Sequence, residues 1–266
     1  MPCKMICSDI DGTILNTSHQ LTETTRRTAA EALAQGIRIV LVSARMPQGM
    51  EPIRLALSLP DTLICYGGAL ITEDGLAVFN RFLPLSEAEH ILNAARQLHI
   101  HSSLYRQNHW IIEQPDAWAQ QETDITGLVP EIVPFPDVFR QWNEAHTGPN
   151  KILFMADPHD ITVLKQAVEQ EAHAGLICYR SKPTYLEVVP KDGSKRQAVS
   201  FLCKRYGISS KDILAIGDGE NDRDMIAFAG IGVAMGNASD AIKQTANFIT
   251  RTNDADGWAF AIQQFL

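Results

Sequence analysis

The chain has 266 residues, a formal net charge of -8, 45% hydrophobic and 20% charged residues. At roughly 150 residues per domain this is one large domain or two modest ones, with enough chain to bury a core. The acidic balance excludes a surface built to neutralise a phosphate backbone or an anionic membrane, so neither nucleic acid nor membrane is expected as a partner, although a local basic pocket can still hold one phosphate.

Charge enters at Lys4, before a signal-peptide apolar core can form, and no run reaches the ~20 apolar residues of a membrane span. The expectation is a cytoplasmic protein. Cys3, Cys7, Cys65, Cys178 and Cys203 include no Cys-x-x-Cys pair and mostly lie in apolar runs, which reads as buried free thiols.

The apolar run Lys4–Ser8 stops at Asp9 and reads as a buried strand, as does the β-branched run Ile37–Val42. Between them Leu21–Gln35 has helical spacing, with Thr22 as N-cap and Gly36 at C′. This is a βαβ unit with a right-handed crossover. A helix over Pro47–Leu57, a strand over Thr62–Tyr66, a turn at Gly67-Gly68 and a returning strand over Ala69–Thr72 follow.

From about Arg81 to Pro190 the prolines and histidines collect and apolar alternation weakens. Strands over Trp110–Glu113, Lys151–Ala156 and Tyr185–Val189 interleave with helices over Ser86–Leu98 and Asp160–Glu171, a second α/β module inserted into the first. The alternation then resumes. Helices are expected over Ser194–Tyr206, Asp222–Ala229, Ala238–Thr245 and Trp258–Phe265, and strands over Asp212–Ile216, Ile231–Ala234 and Phe248–Thr250. The fold class is α/β, a Rossmann-like doubly wound parallel sheet carrying an inserted α/β cap domain.

Open parallel sheets bind ligands beyond the carboxyl ends of their strands, and four such ends carry chemistry here. In Asp9-Ile10-Asp11-Gly12-Thr13 the two aspartates can face one site, and Gly12 permits a sharp turn. Paired carboxylates suit a metal-held nucleophile beside a general acid and base, but the pattern also fits a solvated turn. Ser43-Ala44-Arg45 offers a hydroxyl and N–H groups, as a phosphate seat or simply a helix N-cap. Lys195 falls in a first helical turn, where the macrodipole disfavours a cation unless an anion lies nearby; a solvated surface lysine is the other reading. In Gly217-Asp218-Gly219-Glu220-Asn221-Asp222 the hard oxygen donors suit Mg2+ rather than a Walker loop.

In this order the four motifs resemble those of the haloacid dehalogenase superfamily of phosphohydrolases, and more closely its Cof-type class IIB branch of sugar-phosphate phosphatases. The resemblance extends through Met225, Gly232–Ala238 and Asp256-Gly257 and is faintest over the middle module. It implies a core of residues 1–80 and 191–266 and a substrate-selecting cap of residues 81–190. It further implies that Asp9 attacks phosphorus to form an aspartyl-phosphate, and that Asp11 serves as general acid and base. Mg2+ would be held by Asp9, the Asp11 main-chain carbonyl and Asp218, with Asp222 supporting, while Ser43, Lys195 and Asn221 contact the phosphoryl oxygens.

The chain departs from the family pattern at Ser43-Ala44-Arg45 (usually Thr-Gly-Arg), at Gly67-Gly68 (usually Asn-Gly) and at Asp192-Gly193-Ser194-Lys195-Arg196 (usually Gly-x-Ser-Lys-Gly). The expected substrate is a small phosphorylated metabolite, and the chain a monomer or homodimer. Arg106, His109, Arg180, Lys182 and Glu187 are candidate exposed cap residues for specificity. His99-x-His101 has no further ligand spacing around it and reads as a solvated or strand-alternating pair. A phosphomutase sharing the first half-reaction, and a metal-binding receiver module, are the alternative functions.

Overall fold

The computed structural model describes residues 3–170 and 175–266. In chain order it begins with β1 (Met5–Ser8), α1 (Glu23–Ala34), β2 (Arg38–Val42), α2 (Pro47–Ala56), β3 (Thr62–Cys65), β4 (Leu70–Glu73) and β5 (Leu76–Asn80). The middle carries α3 (Leu85–Gln97), β6 (His101–Arg106), β7 (His109–Ile112), α4 (Ala117–Thr126), β8 (Glu131–Ile132) and α5 (Phe135–Glu144). It continues with β9 (Lys151–Met155), α6 (Pro158–Gln170), β10 (Leu176–Lys182) and β11 (Tyr185–Pro190). Then come α7 (Lys195–Tyr206), β12 (Ile213–Gly217), α8 (Arg223–Phe228), β13 (Ile231–Ala234), α9 (Asp240–Lys243), β14 (Phe248–Ile249) and α10 (Gly257–Phe265). Among the described residues, no helix is long and apolar enough to cross a membrane. Contacts divide the chain into one unit of Met1–Phe79 with Ser194–Leu266 and another of Asn80–Gly193.

The first unit is built on an eight-stranded sheet ordered β14-β13-β12-β1-β2-β3-β4-β5. Its centre is parallel, β1 pairing with both β12 and β2, and β2 with β3; β4 returns antiparallel on β3. β1 is buried along its whole length because it lies between two strands, which is why its sequence is a continuous apolar run. The chain leaves β1 to one side for β2 and reaches β12 on the other, so the strand order reverses at β1. Register does the rest. Ser8 is level with Leu41 and with Ile216, so Asp9, Ser43 and Asp218 all emerge from the same edge.

The helices start and stop as their end residues dictate. Thr22 accepts a hydrogen bond from the Thr25 N–H, and Ser194 with Gln197 forms a reciprocal capping box on α7. The helix expected over Ala238–Thr245 shrinks to α9, because the chain turns after it so that the Asn247 side chain can accept from the Gly232 N–H.

The second unit has a six-stranded sheet, β10-β11-β9-β6-β7-β8, antiparallel except where β8 joins β7. One face carries Leu104, Ile152, Phe154, Leu186 and Val188 into a core shared with helical residues such as Ile91, Trp142 and Leu164. Several elements are additional to those expected from the sequence: β5 in the first sheet, and β6, α4, β8, α5 and β10 in the second unit. β6 escapes an apolar pattern because His101 and Ser103 are buried polar residues that satisfy one another: His101 bonds Asp116 (2.7 Å) and Ser103 (2.8 Å), and Trp110 donates to Ser103 (2.9 Å). His101 is therefore a packed residue and not a solvated one. α5 does carry a legible stripe, with Phe135, Val138, Phe139 and Trp142 all buried.

Glu187 also differs from its reading as an exposed specificity residue, being buried in an ion pair with Lys151 at 3.2 Å. Cys3, Cys7, Cys65 and Cys203 are buried and Cys178 half-buried, all as free thiols. Glu171, expected as the last residue of a helix, lies outside the described residues.

The turn Gly67-Gly68 packs against the start of α7. Gly68 has φ +109°, and a Cβ there would sit 2.3 Å from the carbonyl of Ser194. Both the conformation and the approach require glycine, so Gly68→Ala should cost about 2–4 kcal/mol, read from urea unfolding midpoints at unchanged slope. A midpoint equal to that of the parent chain would contradict this packing.

Candidate active site

The end of β1 is held from behind before any functional group appears. Trp258 donates through Nε1 to the Ser8 hydroxyl (2.8 Å), which donates to the Asp9 carbonyl (2.7 Å), while the Asp9 N–H donates to Ile216 (3.0 Å). The backbone of Asp9 is thus fixed on both sides. The chain then turns back over residues 10–14, with Gly12 at φ +79° and the Leu15 N–H closing on the Ile10 carbonyl at 3.1 Å.

The second acidic strand end approaches closely enough that glycine is the only residue tolerated at position 12. A Cβ there would lie 2.4 Å from Asp218 Oδ2, and one on Gly217 would lie 2.4 Å from the Asp222 carboxyl carbon. Asp222 accepts through Oδ2 from the N–H groups of Asp218 (3.0 Å) and Gly219 (2.9 Å), which fastens the acidic turn. Thr13 donates to Asp218 Oδ1 (2.8 Å), and Asn237 donates to both the Gly12 carbonyl (2.9 Å) and Asp218 Oδ2 (3.3 Å).

Lys195, the first residue of α7, is only 2% exposed and donates to Asp9 Oδ1 and Asp222 Oδ1, each at 2.6 Å. A buried ammonium needs such partners, and they also offset its unfavourable place at a helix N-terminus. Its titration reflects this. Burial alone would lower the lysine pKa, but the charges of Asp222 and Asp9 outweigh it and hold Lys195 above its usual range.

One ammonium does not balance the carboxylates around it. Burial, then the charge of Asp222 and that of Asp218, push Asp9 well above the ordinary carboxylate range against the pull of Lys195. Asp218 is pushed up to about 6, by burial first and by the charges of Asp222 and Asp11, against the Thr13 hydrogen bond and the charge of Lys195. Asp9, Asp218 and Asp222 each offer an oxygen, and the three oxygens lie within 4.8 Å of one another. A hard divalent cation is the species whose charge and oxygen preference fit this donor set.

The remaining expected residues are placed as follows. The Asp11 carboxylate does not join the cluster. It faces Arg45, which donates from Nε (2.8 Å) and Nη2 (2.5 Å), and His19 Nδ1 lies 3.5 Å away. Ser43 is buried at the end of β2, accepts from the Arg45 N–H (3.2 Å), and is not a helix cap, because α2 begins at Pro47 after an extended Met46. Asn221 is half-buried on the acidic turn, its side-chain oxygen packed over Gly219.

Sequence reasoning assigned no role to Thr13, Asn237 or Trp258. Thr13 could have been found from its place two residues beyond Asp11, and Asn237 from its place within the Gly232–Ala238 stretch that carries the family resemblance, whereas Trp258 is 250 residues from Ser8 and carries no local signal.

The profile of the haloacid dehalogenase-like hydrolases matches residues 6–262 of the chain. A Haemophilus influenzae protein provisionally named a phosphatase is 32% identical over 269 residues, covering 99% of this chain and 98% of its own. A Bacillus subtilis protein named 5-amino-6-(5-phospho-D-ribitylamino)uracil phosphatase YwtE is 27% identical, covering 99% and 98%. The crystal structure of a haloacid dehalogenase-like hydrolase from Bacteroides thetaiotaomicron superposes with a TM-score of 0.88 at 29% identity, over 99% of this chain and 100% of that one.

The raised carboxylates set a pH dependence in the metal-free chain. Asp218 keeps its proton up to about pH 6 when folded but releases it near 3.8 when unfolded, so the folded state binds the extra proton between those values. That contribution is present at low pH and lost on rising through about 6. Thermal midpoints of the metal-free chain should accordingly fall from pH 5 to pH 7.5, and a rise over that range would contradict the charge balance described.

Proposed function

The chain belongs to the haloacid dehalogenase-like hydrolase family, and on that premise we propose that it is an Mg2+-dependent phosphatase of small phosphorylated metabolites, sugar phosphates foremost. The observation that carries the proposal is the buried Lys195 tying Asp9 to Asp222, beside a third carboxylate at Asp218. It supports a site made to receive a phosphoryl group together with a cation.

In this reading Asp9 Oδ1 stays on Lys195 and the other oxygen attacks phosphorus, forming the P–O bond of an aspartyl-phosphate as the bond to the leaving alcohol breaks. Asp11 gives a proton to the departing oxygen. In the second half, Asp11 takes a proton from water as the water oxygen bonds to phosphorus, and the bond to Asp9 breaks to release inorganic phosphate. Lys195, the Ser43 hydroxyl and the Asn221 amide donate to the phosphoryl oxygens. Asp9, Asp218, the Asp11 main-chain carbonyl and, behind them, Asp222 would hold Mg2+, which supplies positive charge to the transferring group. The Bacillus subtilis relative is named for a uracil that carries a phosphorylated ribitylamino group, which supports a phosphate on a polyol or sugar here. Residues 1–80 and 191–266 are the proposed hydrolase core, and residues 81–190 the proposed source of substrate choice.

Release of inorganic phosphate from a panel of sugar, nucleotide and cofactor phosphates with Mg2+ tests the reading, and isomerisation of a hexose phosphate without release would favour a phosphomutase. Asp9→Asn should lower turnover roughly 10³-fold or more at nearly unchanged stability. Asp11→Asn should lower turnover of alkyl phosphates by about 10²-fold or more but spare aryl phosphates, whose leaving groups need no proton; equal losses would contradict the acid role. Mg2+ should raise the thermal midpoint more at pH 7.5 than at pH 5, because protons and cation compete for the same oxygens.

A further inference from the structure

The geometry points to Arg45 as a positioning residue for proton transfer, one that holds the Asp11 carboxylate in a single orientation by a two-pronged bond. The inference rests on the acid–base role proposed for Asp11.

Asp11 stands next to Gly12 in the turn after β1, and its side chain is 44% exposed. An aspartate so exposed would ordinarily sample several rotamers in water, at an entropic cost to any reaction that needs one of them. Arg45 removes that freedom. Its Nε donates to Oδ2 at 2.8 Å and its Nη2 to Oδ1 at 2.5 Å, so both oxygens are engaged and the plane of the carboxylate is fixed as well as its position.

The guanidinium is itself anchored. Its Nη1 donates to the Gly49 carbonyl in the first turn of α2 (3.2 Å). The Arg45 N–H donates to Ser43 Oγ (3.2 Å), and its carbonyl accepts from the Tyr66 N–H (3.1 Å). Orientation therefore passes from the ends of β2 and β3, through Arg45, to a carboxylate on the loop after β1. His19 Nδ1, 3.5 Å from Oδ1, presents a second basic group to the same carboxylate.

The two aspartates of the first motif are thereby sorted. Lys195 holds Asp9 with Asp222, and Arg45 holds Asp11 apart from them. This matters because like charges two residues apart would otherwise compete for the same cations. During transfer one Asp11 oxygen exchanges its Arg45 bond for the substrate oxygen while the other stays on the fork. The oxygen that Arg45 releases takes up a proton from solvent, and that proton moves to the leaving oxygen as the leaving oxygen takes the electron pair of its bond to phosphorus. Arg45 contributes no proton and makes no bond to phosphorus; its effect is conveyed by Asp11.

A double-mutant cycle reads this directly. Turnover and KM are measured with Mg2+ for p-nitrophenyl phosphate and for an alkyl phosphate, on the parent chain, Asp11→Asn, Arg45→Ala and the double variant, each shown to be folded by circular dichroism. Arg45→Ala should lower kcat on the alkyl ester about tenfold or more, spare the aryl ester to within about threefold, and cause no further loss when Asp11 is already Asn. Arg45→Lys, which keeps the charge without the fork, should fall on the alkyl ester as Arg45→Ala does, and provides the same reading should the alanine variant not fold.

Equal losses on both esters, a loss confined to KM, or additivity with Asp11→Asn would overturn the inference and make Arg45 a direct phosphate contact or a structural residue. If Asp11→Asn itself spares the alkyl ester, the proposed acid falls and this inference falls with it. If Asp11→Asn is ester-selective while Arg45→Ala is additive, only the role given to Arg45 is lost.

Discussion

The ammonium of Lys195, sealed between Asp9 and Asp222, is the constraint on which the larger unit is arranged. It joins three stretches of chain: the end of β1, the start of α7 and the turn between β12 and α8. A charge removed from water is tolerable only with partners at hydrogen-bond distance. The register of β1 against β12 and the capping box of Ser194 with Gln197 meet that requirement, since together they bring two carboxylates and one amine to a common point. Asp222 extends the constraint into the backbone, bonding Lys195 with one oxygen and the N–H groups of Asp218 and Gly219 with the other.

Packing carboxylates this closely depends on missing side chains. Any Cβ at Gly12 would overlap Asp218, and any at Gly217 would overlap Asp222. Burial first, and then a density of negative charge that one lysine does not balance, hold Asp9 and Asp218 toward their protonated forms in the bare chain. In the proposed mechanism a divalent cation would relieve that imbalance and keep a carboxylate ionised for attack on phosphorus.

Much of this was legible in the sequence for a physical reason. Parallel strands are buried on both faces and so write continuous apolar runs, and the residue where each run stops is the residue that meets a ligand. Asp9, Ser43 and Asp218 were placed at one sheet edge in that way, while the helix start of Lys195 left a solvated lysine open as well, a choice that its burial decides. What could not be read were decisions made by side-chain rotamers across long sequence separations. Nothing local says that Asp11 turns to Arg45, or that Asn237 reaches Gly12. The second unit was harder in part because β6 buries polar residues: His101 and Ser103 break its apolar pattern yet are satisfied by one another and by close neighbours, whereas the strands that carry Lys151 and Glu187 were read despite their buried ion pair. Helix α5 was missed even though its stripe of Phe135, Val138, Phe139 and Trp142 has plain helical spacing.

The central proposal is that a carboxylate oxygen of Asp9 attacks and bonds to phosphorus. Acid-quenching a turnover mixture with a 32P-labelled sugar phosphate and mapping the label by peptide digestion tests it most directly. The account predicts transient label on the peptide that contains Asp9, lost in Asp9→Asn. Steady hydrolysis with no labelled peptide, or label on a different residue, would contradict it.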